Sequence, residues 1–349
     1  MALTDSGHTL GSIVEQFGGE LVGSADVVVR QVAPLSSAQS WHISFLSNPK
    51  YRRQLQNCGA GAVILGVAER DATNLPRILS DNPYAYFAKV SALLNPRRVE
   101  APGIHPTAVV DRTASIPVSA SIGAYAFVGA GVKIGERAVV GPGCHLGEGA
   151  EIGDDSLFYP QVVVYHGCVI GKRAILHSGV VIGADGFGIA MEKGCWIKVP
   201  QIGRAIIGDD VEIGANTTVD RGALDDTIIE DGVKLDNQIQ VAHNVRIGAH
   251  TAMAGCVGVA GSARIGKHCT VGGGAVILGH LEIADRVNVS AGTLVTKSIA
   301  KAGTYTSVMP FSAHQDWLKN AAHLRHLDKM AERLSELEKK ISELEKEKP

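Results

Sequence analysis

An apolar side chain returns at every sixth residue through most of this sequence. One register runs through Ile104, Val110, Ile116, Ile122, Val128, Ile134, Val140, Leu146, Ile152, Phe158, Val164, Ile170, Leu176 and Ile182, with glycine often following, as in SIGAYAFVGAGVKIG. The register breaks at the insertion ADGFGIAMEKGCWIKVPQ and resumes at Ile207, Ile213 and Val219. It slips over RGALDD, then runs in steps of six from Ile229 to Val295. A period of six fits neither a 3.6-residue helix nor a two-residue strand alternation. It suits short strands joined by sharp turns, each apolar residue pointing into a shared prism, which is a parallel β-helix. Three units close a triangular coil of about 18 residues, and coils stack at the inter-strand spacing. The repeat therefore makes roughly ten coils and a rod on the order of 45 Å long.

Composition agrees with this architecture. The 41 glycines against 5 % aromatic residues imply many tight turns around a core of small aliphatic side chains. With 45 % hydrophobic residues and a net charge of −2, the chain reads as globular, and nucleic acid is not expected as a partner. The cysteines Cys58, Cys144, Cys168, Cys195, Cys256 and Cys269 lie far apart without a CxxC pair. Neither a disulfide framework nor a zinc ribbon is indicated, and a reducing, cytoplasmic location is expected. The start, MALTDSGHTL, has no basic and long apolar leader, and no apolar run reaches the roughly 20 residues that span a bilayer.

Three segments follow. Residues 1–100 lack the six-period and read as a separate α/β domain, with a helix in TLGSIVEQFGG, a strand in AGAVIL and turns at the Asn-Pro pairs. Residues 101–311 form the rod. Residues 312–349 read as a helical segment whose Leu327, Met330, Leu334, Leu337, Ile341 and Leu344 make a heptad seam. That seam covers under three heptads and is expected to zip only if an oligomeric rod already holds it together.

Positions 18 apart stack on one edge of such a prism. His243, in DNQIQVAHNV, stacks with Gly261 and then with Gly279, whose neighbour is His280. An imidazole base, an approachable backbone N–H and a second imidazole are the parts of an acyl-transfer site. Taken alone, His243 reads equally as a solvated turn residue, and histidines of neighbouring chains, including His250, could instead gather a metal. Asp236 lies seven residues earlier, on the previous face. It reads either as a group orienting a neighbouring chain's histidine or as a turn aspartate bonded to its own backbone.

NTTVDRGALDDTIIEDGVKLDNQIQVAHNVRIGAHT, with SFLSNPKY near the amino terminus and a carboxy-terminal helix, resembles the UDP-3-O-acylglucosamine N-acyltransferases of lipid A biosynthesis over nearly the whole chain. The resemblance implies a mainly β fold, a left-handed parallel β-helix with an N-terminal α/β uridine-binding domain and a C-terminal helical extension. It implies a homotrimer that moves an (R)-3-hydroxyacyl chain from acyl carrier protein, where phosphopantetheine carries it, to the 2-amino group of UDP-3-O-acylglucosamine. No metal and no other cofactor is expected. His243 matches the general base, His280 a supporting histidine, and Gly261 the N–H that faces the thioester oxygen. Phe45, Asn48 and Tyr51 match residues holding uracil, although without the resemblance Phe45 reads as core and Tyr51 as a surface ring. Lys297 matches a basic position expected to meet the acidic carrier protein, and Arg264, Lys267 and Lys301 widen that patch, each otherwise a solvated charge. Leu294 stands at the end of the acyl groove where methionine is expected, which leaves the preferred chain length open. Alternative readings are the related O-acyltransferase, an acetyl-CoA-dependent sugar-nucleotide acetyltransferase, a zinc carbonic anhydrase-like trimer and a purely structural β-helix.

Overall fold

The computed structural model describes residues 7–96 and 100–346, and the chain separates into two compact units, Met1–Val99 and Glu100–Pro349.

The first unit is built on a five-stranded sheet in the order Glu20–Val22, Arg77–Leu79, Ala62–Leu65, His42–Phe45, Gln31–Val32. Only the Glu20–Val22 edge runs antiparallel. The AVIL of AGAVIL is the central strand and is buried along its whole length, as an unbroken apolar run requires. Helix α1 (Leu10–Phe17) starts at Thr9, whose hydroxyl accepts the Ser12 N–H at 3.1 Å. It ends at Gly18 with φ 76°, where a side chain would be strained. The Asn-Pro pairs do more than turn the chain. Asn82 caps α2 (Pro83–Leu94) by accepting the Ala85 N–H at 3.0 Å, and Asn48 caps a 3-10 helix over Pro49–Asn57.

In the second unit, two- to four-residue strands stack into three parallel sheets of eleven, ten and eight strands, the faces of a left-handed β-helix. From Ile122 to Val295 every six-period residue named above is buried in one continuous core. Each such Val, Ile or Leu contributes roughly 1.5–3 kcal/mol of burial. Ile104, in the first coil, is 51 % exposed because that coil has a neighbour on one side only. Coils pair in an 18-residue register, as Ser121 with Val139 and Ile122 with Val140.

The two breaks in the period are both built structures. The insertion forms an antiparallel hairpin, Ile189–Glu192 against Cys195–Lys198, turned by Lys193 and Gly194 at φ 50° and 81°. RGALDD is a loop that widens one coil, so that Asp209 N–H reaches Asp231 Oδ1 across 22 residues instead of 18. The C-terminal segment, read above as one helix, is two: α3 (His314–Leu324) and α4 (Leu327–Lys346), interrupted at Arg325 and His326. The heptad residues of α4 are all exposed in the single chain. Among the described residues no helix is long and apolar enough to cross a membrane.

Candidate active site

His243 occupies the turn between the strands Gln240–Val241 and Arg246–Ile247, half-buried. Asn244, which follows it, has φ 59°, a left-handed conformation that asparagine tolerates better than most residues. The stacked turns bond through backbone: Ser262 N–H donates to His243 O at 2.9 Å, and His280 N–H to Gly261 O at 3.0 Å. The ladder of His243, Gly261 and the Gly279–His280 pair is therefore present. His280 stands one position further on, level with Asn244 and Ser262 at φ 58°, and is exposed.

The tautomer of His243 follows from its neighbour. Asn244 Nδ2 donates to Asp225 O at 3.0 Å, which makes Oδ1 the acceptor of that amide. Asn244 Oδ1 accepts the Ala223 N–H at 3.0 Å and lies 3.0 Å from His243 Nδ1. Nδ1 must then carry the hydrogen, and the lone pair is left on Nε2. Nε2 faces Gly261: a Cβ on that glycine would lie 2.7 Å from it. On the other side, a Cβ on the buried Gly186 would lie 2.7 Å from His243 Cβ. Both glycines are needed for the space they leave, and neither has a positive φ.

Among the described residues the turn amide of Gly261 has no acceptor, a state it shares with the turn amides of Gly273 and Asp285 but not with three others nearby. The equivalent turn amides of Ala249, Gly255 and Lys267 are capped by side-chain carboxylates of Glu230, Asp236 and Asp285, at 3.0, 2.9 and 2.7 Å. Above and below Gly261 stand His243 and Gly279, and among the described residues its N–H has no acceptor. A free N–H beside a basic nitrogen is what a developing oxyanion requires.

Asp236 is bonded to backbone of its own chain. Its Oδ1 accepts the Asn237 N–H at 2.8 Å and its Oδ2 the Gly255 N–H, the backbone-bonded alternative given above. Within one chain the orienting partner of His243 is Asn244. A second acidic group went unnoticed in the sequence: Asp220, at the end of the strand Thr218–Asp220, whose Oδ2 accepts from Gln240 Nε2 at 3.0 Å. Burial holds its carboxyl above the ordinary range, opposed by the Gln240 hydrogen bond and the charge of His243.

Gly258, Val276 and Leu294 stand in register on the outward side of the sheet that leads to His243. Val276, Leu278 and Leu294 are exposed there, and Gly258 leaves a hollow, giving an apolar strip on the surface. Arg264, Lys267, Lys297 and Lys301 are all exposed. Arg264 lines a shallow hollow with Glu282 and Ser298.

In the first unit, Phe45 and Tyr51 line a cavity of about 480 Å³ with Val32, Leu35 and Phe87. Phe45 stacks on Phe87, ring centroids 4.0 Å apart at 22°. Asn48 is not among the lining residues, and its Oδ1 is spent on the Lys50 N–H at 3.1 Å.

A left-handed β-helix of hexapeptides is the architecture of the hexapeptide-repeat transferases, and one edge of this one carries a histidine beside an amide without an acceptor. Residues 149–184 match the bacterial transferase hexapeptide family, and residues 26–93 match the family described as UDP-3-O-(3-hydroxymyristoyl) glucosamine N-acyltransferase. The UDP-3-O-acylglucosamine N-acyltransferase of Methylobacillus flagellatus is 55 % identical over 359 residues, covering 96 % of each chain. That of Herminiimonas arsenicoxydans is 54 % identical over 341 residues, 96 % of this chain and 97 % of its own. The chain belongs to the UDP-3-O-acylglucosamine N-acyltransferase family. The crystal structure of an Arabidopsis UDP-N-acetylglucosamine acyltransferase shares the rod fold, at 24 % identity and a TM-score of 0.51, over 58 % of this chain and 71 % of that one.

Proposed function

We propose that this acyltransferase moves an (R)-3-hydroxyacyl chain from the phosphopantetheine thiol of acyl carrier protein to the 2-amino group of UDP-3-O-acylglucosamine, in lipid A biosynthesis in the cytoplasm. The observation that carries this is His243, whose Nδ1 faces Asn244 Oδ1 at 3.0 Å and whose Nε2 is turned to Gly261. As the amine attacks the thioester carbonyl, a C–N bond forms and neutral His243 takes the amine proton on Nε2. The Gly261 N–H donates to the oxyanion. Collapse then breaks the C–S bond, and the imidazolium returns its proton to the leaving thiolate, so that no acyl-enzyme and no metal is needed. His280, one coil beyond Gly261, supports the charge on the tetrahedral intermediate.

The acyl chain lies on the strip of Gly258, Val276 and Leu294, and Lys297, Arg264 and Lys267 meet the acidic carrier protein. The uracil enters the cavity lined by Phe45 and Tyr51, with the side-chain NH2 of Asn48 left to reach the base edge. Three copies associate, and Asp236, bonded to its own backbone, orients the His243 of a neighbouring copy. The test is acyl transfer from 3-hydroxyacyl carrier protein to UDP-3-O-acylglucosamine, comparing the unmodified chain with His243→Ala after sedimentation shows equal assembly. Turnover in the first and collapse by roughly a hundredfold or more in the second is expected. Absence of turnover in the unmodified chain overturns the substrate pair, and survival in the variant removes His243 from the reaction.

A further inference from the structure

An amine acceptor differs from a hydroxyl acceptor in one physical respect that a binding site can use: it arrives in part as a cation. A site selective for amines gains from a fixed negative charge beside the base, and the edge that carries His243 has one. Asp220 pairs in its strand with Ala184, and Val219 beside it pairs with Val241, which puts Asp220 next in the column to Ala242 and so beside His243. Gln240 Nε2 holds Oδ2 at 3.0 Å, and Gln240 Oε1 in turn accepts from the Thr218 hydroxyl, so the carboxylate is anchored without being neutralised.

The cations nearby are otherwise engaged. Lys198 of the hairpin pairs with Asp185, and Arg221 turns inward, 2 % exposed, where it donates to His166 O at 2.8 Å. Among the described residues Asp220 has no Lys or Arg partner within ion-pair distance, and its Oδ1 accepts no hydrogen bond. The titratable groups that act on it are His243, which favours its ionised form when it carries the proton, and Asp185, which opposes it. A half-buried carboxylate kept free of cations is an unfilled acceptor, and burial makes a charge-assisted bond there worth more than at the surface.

We propose that Asp220 is the amine-recognition residue of the acceptor site: its Oδ1 accepts an N–H of the sugar's 2-amino group, binding the cationic form and favouring amine over hydroxyl acceptors. This deepens the acyltransferase reading above and rests on it. Asp220 keeps no proton: the bound ammonium first loses one to solvent, which leaves the neutral amine, still hydrogen-bonded to Oδ1, to attack. The proton released on attack goes to His243 Nε2, as already described.

Asp220→Asn keeps an oxygen for Gln240 and removes the charge. The measurement is kcat/KM with two acceptors, UDP-3-O-(3-hydroxyacyl)glucosamine and its 2-hydroxy counterpart UDP-3-O-(3-hydroxyacyl)glucose, together with calorimetric binding of each. In the variant, the preference for the amine is expected to fall by roughly ten- to a hundredfold, with the loss carried by KM and by amine binding, and the hydroxyl analogue little affected. A loss that is equal for the two acceptors, or no loss, overturns the assignment. Gln240→Leu frees the carboxylate from its anchor but keeps the charge. It is expected to lower turnover a few-fold with the amine preference retained, and loss of that preference in Gln240→Leu also overturns the proposal. Failure of the unmodified chain to acylate the amine at all sinks the acyltransferase reading instead, so the two failures are distinct.

Discussion

His243 keeps its basic nitrogen free because Asn244 takes the other one, and Asn244 is held by the Ala223 N–H and the Asp225 carbonyl. Both of those groups belong to the RGALDD slip, while Gly186, against the ring, belongs to the insertion. The two interruptions of the repeat therefore converge on His243, a pattern expected where function overrides regularity. Asn244→Ala removes the acceptor at Nδ1, lets the tautomer invert, and is expected to lower kcat by about a hundredfold. Steady-state rates read alongside a melting curve check this, the melting temperature moving by only a few degrees. The position of His243 on the Gly261 edge was legible from 18-residue arithmetic. Its partner was not, because a side-chain hydrogen bond depends on how an irregular loop folds back, and spacing says nothing about that. Asp220 escaped notice for a related reason: an aspartate near a loop reads as turn chemistry until its burial is seen.

At the scale of single elements, the rod was the most legible part of the chain, since a period of six leaves almost no freedom in which side chains face inward. Phe158 is the largest side chain buried in the rod, where most rungs carry Val, Ile or Leu. Phe158→Ala leaves a cavity that two flanking coils cannot close, and a loss of about 3–5 kcal/mol is expected, read as a lower denaturant midpoint. Thiol chemistry gives an independent check on the prism. Burial pushes the Cys144 thiol up to about 11, and Cys168 and Cys269 are raised by the same cause. A thiol reagent at neutral pH is expected to modify the exposed Cys195 and Cys256 in the native protein and to reach Cys144, Cys168 and Cys269 only after unfolding. The Asn-Pro pairs were less legible. Asn82 and Asn48 look like turn formers in sequence, but the same side-chain oxygen that closes a turn also caps a helix, and only the residues that follow decide which.

For the whole molecule, the exposed heptad face of α4 is the clearest sign of association: Leu327, Met330, Leu334, Leu337, Ile341 and Leu344 all face solvent in the single chain. Leu334→Asp places a charge in that seam. It is expected to shift the assembly toward smaller species in sedimentation, while the circular dichroism of the rod stays unchanged. The break at Arg325 and His326 was not visible in advance, since the residues around it are good helix formers. The register of the coils carries a wider implication. Because every strand bonds to the one a full coil away, a regular stretch of the rod keeps its edges aligned only when it gains or loses whole coils. Excising 18 consecutive residues from a regular stretch, such as 121–138, leaves every remaining rung matched to its neighbour and every edge in line; excising six or twelve keeps the apolar residues inward but moves the downstream edges round by one or two faces, and a number not divisible by six turns apolar side chains outward. Length in such a rod is therefore counted in discrete steps, and only steps of a whole coil keep the histidine edge in line with the coils beneath it.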